Sequence, residues 1–300
     1  PSLTGSWAHY GELYNYSASG DITEFSRSSA GLASGEPSEG RRFSSDLRVE
    51  RPYSAPYGSL TPAALGFARW SEATTSSGTQ DNSYFTYGAS LDGQLVFEKQ
   101  GSGGSLHNLI PRAKLLVREP NTDPTVVKFD TPDSTETDTV GQIFLDNPIS
   151  GGDFVGDTRE LALSLTSRGL NADGIETYRL TAGRTLFLAD RDVTLSRAPE
   201  TTEQGPLVIE SNVRLGDNLT WATQFRTVSD GETMDTATNE FKYRASDTNY
   251  ITNRVVWNNE EATRADLYVS QQLGMQWRGL AGLQWEPNTE QRVNQVLGVE

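Results

Sequence analysis

The sequence predicts an all-β chain: an antiparallel transmembrane β-barrel, present in part, with about 14 strands, long extracellular loops and short periplasmic turns. Three observations predict it. Apolar and polar residues alternate at period 2 almost throughout, and no 12-residue window holds a helical i, i+3, i+4 pattern. Several alternating segments run to 10–18 residues, where globular strands average ~5–6 and tilted membrane strands need ~9–11 in the bilayer alone. Tight turns also alternate with long polar loops, a habit of outer-membrane barrels.

The expected strands lie near 7–26, 41–52, 58–72, 82–99, 105–118, 158–170, 174–189, 206–216, 218–229, 236–246, 249–258, 262–273, 275–286 and 291–300. Phe43, Leu47 and Val49 alternate with Ser44, Asp46, Arg48 and Glu50. Leu161, Leu163 and Leu165 alternate with Ala162, Ser164 and Thr166. Leu219, Trp221 and Phe225 share a face against Thr220, Gln224 and Arg226. Tight turns are expected at Gly216 to Asn218, Ser246 to Asn249 and around Gly274. Long loops are expected at Gly31 to Gly40, Ser71 to Asn82, Glu119 to Asp157 and Asp190 to Gly205.

Composition narrows the class. The 300 residues are 35% hydrophobic with Gly not counted, below the ~45–50% usual for globular domains with Gly included, yet there are 6 Trp, 11 Tyr and 11 Phe. A disordered chain this polar would be short of aromatics. A net charge of −15 argues against nucleic acid, which needs a basic stripe. The absence of cysteine removes disulfides and thiolate zinc sites within the chain. No apolar run is long enough for a transmembrane helix, which leaves strand-built membrane proteins open. The chain opens on Pro1 without Met or signal peptide, and is expected to begin inside something longer or after processing.

No pattern speaks for catalysis, a cofactor or a metal. Asp146, Asp153 and Asp157 in DNPISGGDFVGD offer hard oxygen ligands, but at a spacing that fits no calcium loop, so a Gly-rich acidic surface loop is expected. His9 and His107 stand far apart, which does not suit a triad or a histidine metal site. With 40 acidic residues, no carboxylate pair is diagnostic of glycoside hydrolysis.

The polar strand positions carry many charges: Asp46, Arg48, Glu50, Asp92, Glu98, Arg168, Arg179, Arg226, Lys242, Arg244, Arg254, Asp266, Arg278 and Glu286. In a barrel these line a wet lumen while the apolar positions meet lipid. Lumen-lining residues are therefore expected at Arg226, Lys242, Arg244, Arg254, Arg278 and Gln284. Lipid-facing and girdle residues are expected at Trp221, Phe225, Trp277, Ala281, Leu283 and Trp285. Trp277 and Trp285 are eight residues apart, ~26 Å of strand. Tilted, that projects to ~20 Å along the membrane normal, near the ~25 Å apolar band of such barrels.

Four runs then carry a resemblance. HNLIPRAKLLVREP (His107 to Pro120), NPISGGDFVGDTRELALSLTSRGL (Asn147 to Leu170), ETYRLTAGRTLFLADRDV (Glu176 to Val193) and WRGLAGLQWEPNTEQRVNQVLGVE (Trp277 to Glu300) resemble, in order and spacing, segments of the LPS-assembly outer-membrane protein family, LptD. The likeness is most specific over 84–193. It departs where the family has an aromatic-rich run: Arg184 replaces a Gln, and the aromatics thin to Phe187.

The resemblance implies a piece of a single outer-membrane barrel domain, 1–300, without the family's N-terminal periplasmic jelly-roll, first barrel strands, last barrel strands or Cys-Cys pair. It implies transport of lipopolysaccharide into the outer leaflet of a Gram-negative outer membrane, without catalysis. It implies as partners lipopolysaccharide, an LptE-type lipoprotein plug, an LptA-type periplasmic bridge reached through the missing domain, and outer-membrane lipid. Two other readings stand beside it. A porin-like solute channel would be marked by a constriction loop folded into the lumen and by ion conductance. A soluble β-sandwich that binds carbohydrate would pack its apolar faces on each other.

Overall fold

A computed structural model describes residues 2–27, 37–75, 78–119, 129, 139–147, 149, 151–192, 200–229, 233–259, 263–287 and 291–300. They form one 17-stranded antiparallel sheet. The strands are β1 (Ser2–Tyr10), β2 (Asn15–Ser26), β3 (Pro37–Glu50), β4 (Tyr53–Ala55), β5 (Gly58–Thr75), β6 (Gly78–Leu95), β7 (Phe97–Gln100), β8 (Leu106–Arg118) and β9 (Thr158–Leu170). They continue with β10 (Glu176–Phe187), β11 (Val208–Leu215), β12 (Leu219–Thr227), β13 (Met234–Arg244), β14 (Tyr250–Asn258), β15 (Arg264–Gln272), β16 (Arg278–Glu286) and β17 (Gln291–Val299). The ladders run as a meander, each strand pairing with its chain neighbour. The exceptions are β3, which pairs with β5 beyond the short β4, and β8, which pairs with both β6 and β7. A sheet this wide cannot stay flat, because strand twist makes open sheets beyond ~10 strands curl.

The expected 14 strands become 17 for local reasons. The segment expected at 7–26 is a hairpin, turned where the Gly11 N–H donates to the Tyr14 carbonyl over 3.0 Å. The segment expected at 82–99 breaks between β6 and β7. Opposite the break lies Pro111, which has no N–H to donate, and β8 is paired with β6 only from Arg112 on and with β7 only up to Leu109. The Val96 N–H donates to the Tyr57 carbonyl at 2.8 Å, on the side of β5. Pro52 similarly separates β3 from β4.

The long loop expected at Ser71 to Asn82 is a correction. Those residues are strand up to Thr75 and again from Gly78, so β5 and β6 reach 18 residues each. Ser, Thr, Glu, Asp and Gln made the tip read as loop, but paired to one another they satisfy each other's backbone groups. Gly78 takes the left-handed φ of +118° that the tight connection needs.

The two ends of the sheet differ as expected. At one end, 11–14, 171–175, 216–218, 245–249 and 273–277 make short connections. Gly216 (φ +76°) and the Leu273 N–H to Trp277 carbonyl bond close two of them. At the other end lie the long segments 119–157 and 188–207. Of the loop expected at Gly31 to Gly40, Pro37 to Gly40 are instead the start of β3, paired to β5; residues 28–36, most of Asn121 to Thr139, and 193–199 lie outside the described residues.

Register fixes the two faces. Val213, Trp221, Phe241, Asn253, Leu267 and Leu283 oppose one another in an unbroken row across β11 to β16. Trp7, Ala18, Leu47, Gly66 and Tyr87 make a second row across β1 to β6. On this face large side chains stay open: Phe85 is 62% exposed, Leu47 50% and Phe241 43%. Among the described residues nothing packs over it. The opposite face carries the charges, with Glu240, Arg254, Asp266 and Gln284 in one row.

Candidate functional site: a loop folded onto the charged face

The described residues of 139–157 (139–147, 149 and 151–157), between β8 and β9, fold back onto the charged face. Asp153 anchors them at one side. Its Oδ1 meets Arg42 Nη1 at 2.8 Å, with the two side chains 1% and 5% exposed. Arg42 also reaches Asp21 at 3.1 Å. The Asp153 carbonyl accepts from Tyr84 Oη at 2.8 Å, and its Oδ2 accepts from the Phe129 N–H at 2.8 Å. Gly152 lies so close to the Arg42 guanidinium that a Cβ would sit 2.5 Å from its central carbon. A side chain there would evict the arginine.

Asp146 is the second anchor. One oxygen takes Lys114 Nζ at 2.7 Å and the other pairs with Arg48, so a single carboxylate ties β8 to β3. Lys114 also donates to the Phe144 carbonyl at 2.7 Å, and Arg118 donates to the carbonyls of Gly156 and Asp146. Asp157 is 8% exposed, and its carboxylate accepts from the Asp192 N–H, which ties this loop to the next.

Apolar contacts complete the docking. Val155 packs on Ala63, Leu65, Phe67 and Leu116. Val140, Ile143 and Phe144 pack on Ala162 and Val208. Phe144 also lies under Arg112, whose guanidinium is 4.0 Å from the ring centre. All these wall residues belong to the charged face by register, so the loop covers the places where that face is apolar. Buried pairs such as Arg42–Asp153 contribute little net energy by themselves, because desolvation offsets attraction. They fix where the loop docks, and the two apolar clusters supply the gain.

The expectation of an acidic surface loop at Asp146, Asp153 and Asp157 is therefore overturned. Their negative charge is neutralised by the arginines and lysine of the wall, which periodicity alone placed there without naming a partner. No group of carboxylates and histidines suited to a metal occurs among the described residues. One signal in the sequence marks the docking face. Ala63, Ala64, Leu65, Gly66, Phe67 and Ala68 are apolar at both parities, as are Leu115, Leu116 and Val117. A strand bare to water on one side does not read that way.

The other sequence-derived residues fall as follows. Arg226, Lys242, Arg244, Arg254, Arg278 and Gln284 share the charged face by register. Arg226 pairs with Asp235, Arg278 with Glu300, and Arg244 lies 3.6 Å from Asp247. Lys242 lies 5.6 Å from the Tyr250 ring centre. Trp221, Phe225, Ala281, Leu283 and Trp285 share the bare face. Trp221 stacks on Phe241 at 5.7 Å. Trp277 stands one residue before β16, in the turn that leads into it, and is 60% exposed. His107 Nδ1 is 3.3 Å from Tyr178 Oη, and His9 stacks beside Trp7.

Two expected results follow from the docking. Asp146 sits below the ordinary carboxylate value of 3.8: burial pulls it up, but the Lys114 ammonium and the Arg48 guanidinium outweigh burial. A carboxylate lowered on folding stabilises fully above its unfolded value and loses that contribution as pH falls through the lowered one. Amide protection of 139–157 is therefore expected to hold from pH 8 to pH 5, and this anchor to let go only below 3.8. Gly183 is the other case. A Cβ there would lie 2.8 Å from both Ile143 and Val140. Gly183→Leu is expected to lift the 139–147 segment, at ~1–3 kcal/mol of overpacking, seen as faster amide exchange there and unchanged exchange in β16.

Among solved structures, a mutant of Rh. blastica porin aligns over 99% of both chains at 11% identity, with a TM-score of 0.34, a likeness too weak to carry an argument. Curated relatives are more informative. The LPS-assembly protein LptD of Pseudomonas fluorescens is 29% identical over 53% of this chain and 18% of its own length. That of Polaromonas sp. is 28% identical over 72% and 26%, and that of Alcanivorax borkumensis 35% identical over 41% and 17%. The chain thus spans well under a third of the length of these relatives. The model of the family LptD, LPS transport system D, matches residues 1–278. With that match across nearly all of a two-faced antiparallel sheet, the chain belongs to the LptD family.

Proposed function

We propose that this chain is part of the barrel wall through which lipopolysaccharide reaches the outer leaflet of a Gram-negative outer membrane. The observation that carries the reading is the family match over 1–278, and the two faces supply its physics. The bare face, with Trp221, Phe225, Ala281, Leu283 and Trp285, meets acyl chains. A contiguous apolar surface of that size marks a membrane or partner contact. The charged face, with Arg226, Lys242, Arg244, Arg254, Arg278 and Gln284, lines a wet lumen that can take a saccharide. The short-turn end is periplasmic and the long-loop end extracellular. Residues 1–300 then belong to one barrel domain, and no step of the transport requires a bond to be made or broken by it. An LptE-type lipoprotein within the lumen and an LptA-type bridge from the periplasm are the partners this reading adds.

A solute channel is the reading that the experiment must separate from this one. The reading is tested in a strain depleted of its own LPS-assembly protein. Expression of the full-length protein should restore lipopolysaccharide at the cell surface, measured by its accessibility to surface modification. Failure to restore it, together with steady ion conductance of the purified protein in planar bilayers, would favour the channel.

A further inference from the structure

Near the short-turn end the bare face carries Arg51, a cation that transport leaves unused. The β3–β5 register places Arg51 opposite Pro62, whose partner on β6 is Leu91 of the bare face. The Arg51 N–H donates to the Pro62 carbonyl at 3.0 Å, which fixes the backbone. Its guanidinium lies 5.6 Å from the Tyr14 ring centre and 5.0 Å from that of Tyr53. Among the described residues no carboxylate pairs with it. In a chain of net charge −15, a half-buried arginine held by two rings has the chemistry to take an anion. It stands at the short-turn end, among tyrosines, where a membrane protein meets headgroups.

Beside it the bare face is dented. Leu60, Gly93, Ala113 and Leu163 oppose one another across β5, β6, β8 and β9. Two small residues between two leucines leave a groove of about 640 Å³, which Leu95 and Tyr53 also line. Tyr53 therefore belongs both to the groove and to the arginine's aromatic clamp. The groove is mostly apolar, and Tyr53 stands between it and the Arg51 guanidinium.

We propose that Arg51 and this groove bind a glycerophospholipid of the turn-side leaflet, with its phosphodiester on the guanidinium and an acyl chain over Gly93 and Ala113. Charge complementarity selects the headgroup. The planar fork of arginine suits a phosphate's two oxygens, and the flanking rings strengthen the site by excluding water. The dent selects the chain, because it offers contact that a convex wall lacks. The proposal rests on the membrane reading above.

The test is native mass spectrometry of the detergent-solubilised full-length protein, titrated with phosphatidylglycerol. The wild type is expected to hold one lipid tightly. Arg51→Gln should weaken that binding about tenfold, and Arg51→Lys less, at one point charge in place of a fork. Gly93→Leu fills the groove against the mobile end of Leu60, 3.1 Å from a new Cβ, and should weaken it about as much as Arg51→Gln. Diacylglycerol and inorganic phosphate, used separately, should each bind weakly. Equal lipid binding by Arg51→Gln overturns the proposal. So does inorganic phosphate displacing the lipid, or lipid A binding in preference to phosphatidylglycerol. Unchanged heat-modifiable mobility shows that each variant is folded; should Arg51→Gln misfold, the Arg51→Lys and Gly93→Leu pair decides. A full-length protein that needs no detergent would sink the membrane reading itself, a separate result.

Discussion

Asp153→Ala is expected to free residues 139–157 from the wall. The Arg42–Asp153 pair is nearly solvent-free, with side chains 5% and 1% exposed. Removing the carboxylate leaves Arg42 with Asp21 at 3.1 Å and the Phe129 N–H without its acceptor. Breaking one partner of a buried pair costs ~3–5 kcal/mol. At ~1.4 kcal/mol per tenfold, even the low end raises the undocked fraction more than a hundredfold. Amide exchange across 139–157 in the full-length protein should rise by about that factor, and bilayer conductance should rise with it. Unchanged exchange would mean that the apolar clusters hold the loop unaided. Val155→Asp separates the two contributions, because it disturbs Ala63, Leu65, Phe67 and Leu116 and leaves every ion pair in place.

The second large effect concerns the two faces. Ala281 opposes Val269 on β15 and Leu297 on β17, well inside the bare face. Gln284 opposes Asp266 on the charged face. Ala281→Arg places a cation among acyl chains, at ~2–4 kcal/mol near mid-bilayer and falling toward the interfaces. Gln284→Arg adds one beside Asp266, a buried carboxylate already 3.1 Å from Arg264, where attraction to the opposite charge offsets the desolvation of the new cation. Assembled protein in the outer membrane, read as heat-modifiable monomer, should fall severalfold for Ala281→Arg and little for Gln284→Arg. Equal losses would contradict the assignment of the faces.

Much of this was legible in the sequence because a strand's period is 2 wherever it lies. The segment 158–170 appears as β9 with the same bounds, and Trp221, Phe225, Leu283 and Trp285 fall on one face as alternation requires. The misses have particular causes. Polarity at Ser71 to Asn82 suggested a loop, yet backbone pairing is indifferent to side-chain polarity, and the hairpin runs on. Pro111 lies on β8, but its missing N–H acts on the neighbouring strand and splits it, an effect that a strand-by-strand reading does not see. The docked loop was hidden for a deeper reason. Asp146 finds Arg48 and Lys114 at separations of 98 and 32 residues, and periodicity carries no information about partners so far apart. Only the double-sided apolar run at Ala63 to Ala68 hinted that something covers the inner wall.

The docked loop also has a mechanical meaning. Its anchors run from Arg42 and Arg48 on β3, through Lys114 on β8, to Glu210 on β11, which accepts from the Val140 N–H at 3.0 Å. It is a cross-brace bolted to the inside of a curved wall, and the staves it spans include the two longest, at 18 residues each. The staves from β12 to β17 are slender, 9 to 11 residues. Under lateral load a wall built this way bends where it is slender and unbraced. Shape change in the barrel should therefore concentrate in β12 to β17, with β3 to β11 moving as a rigid shell.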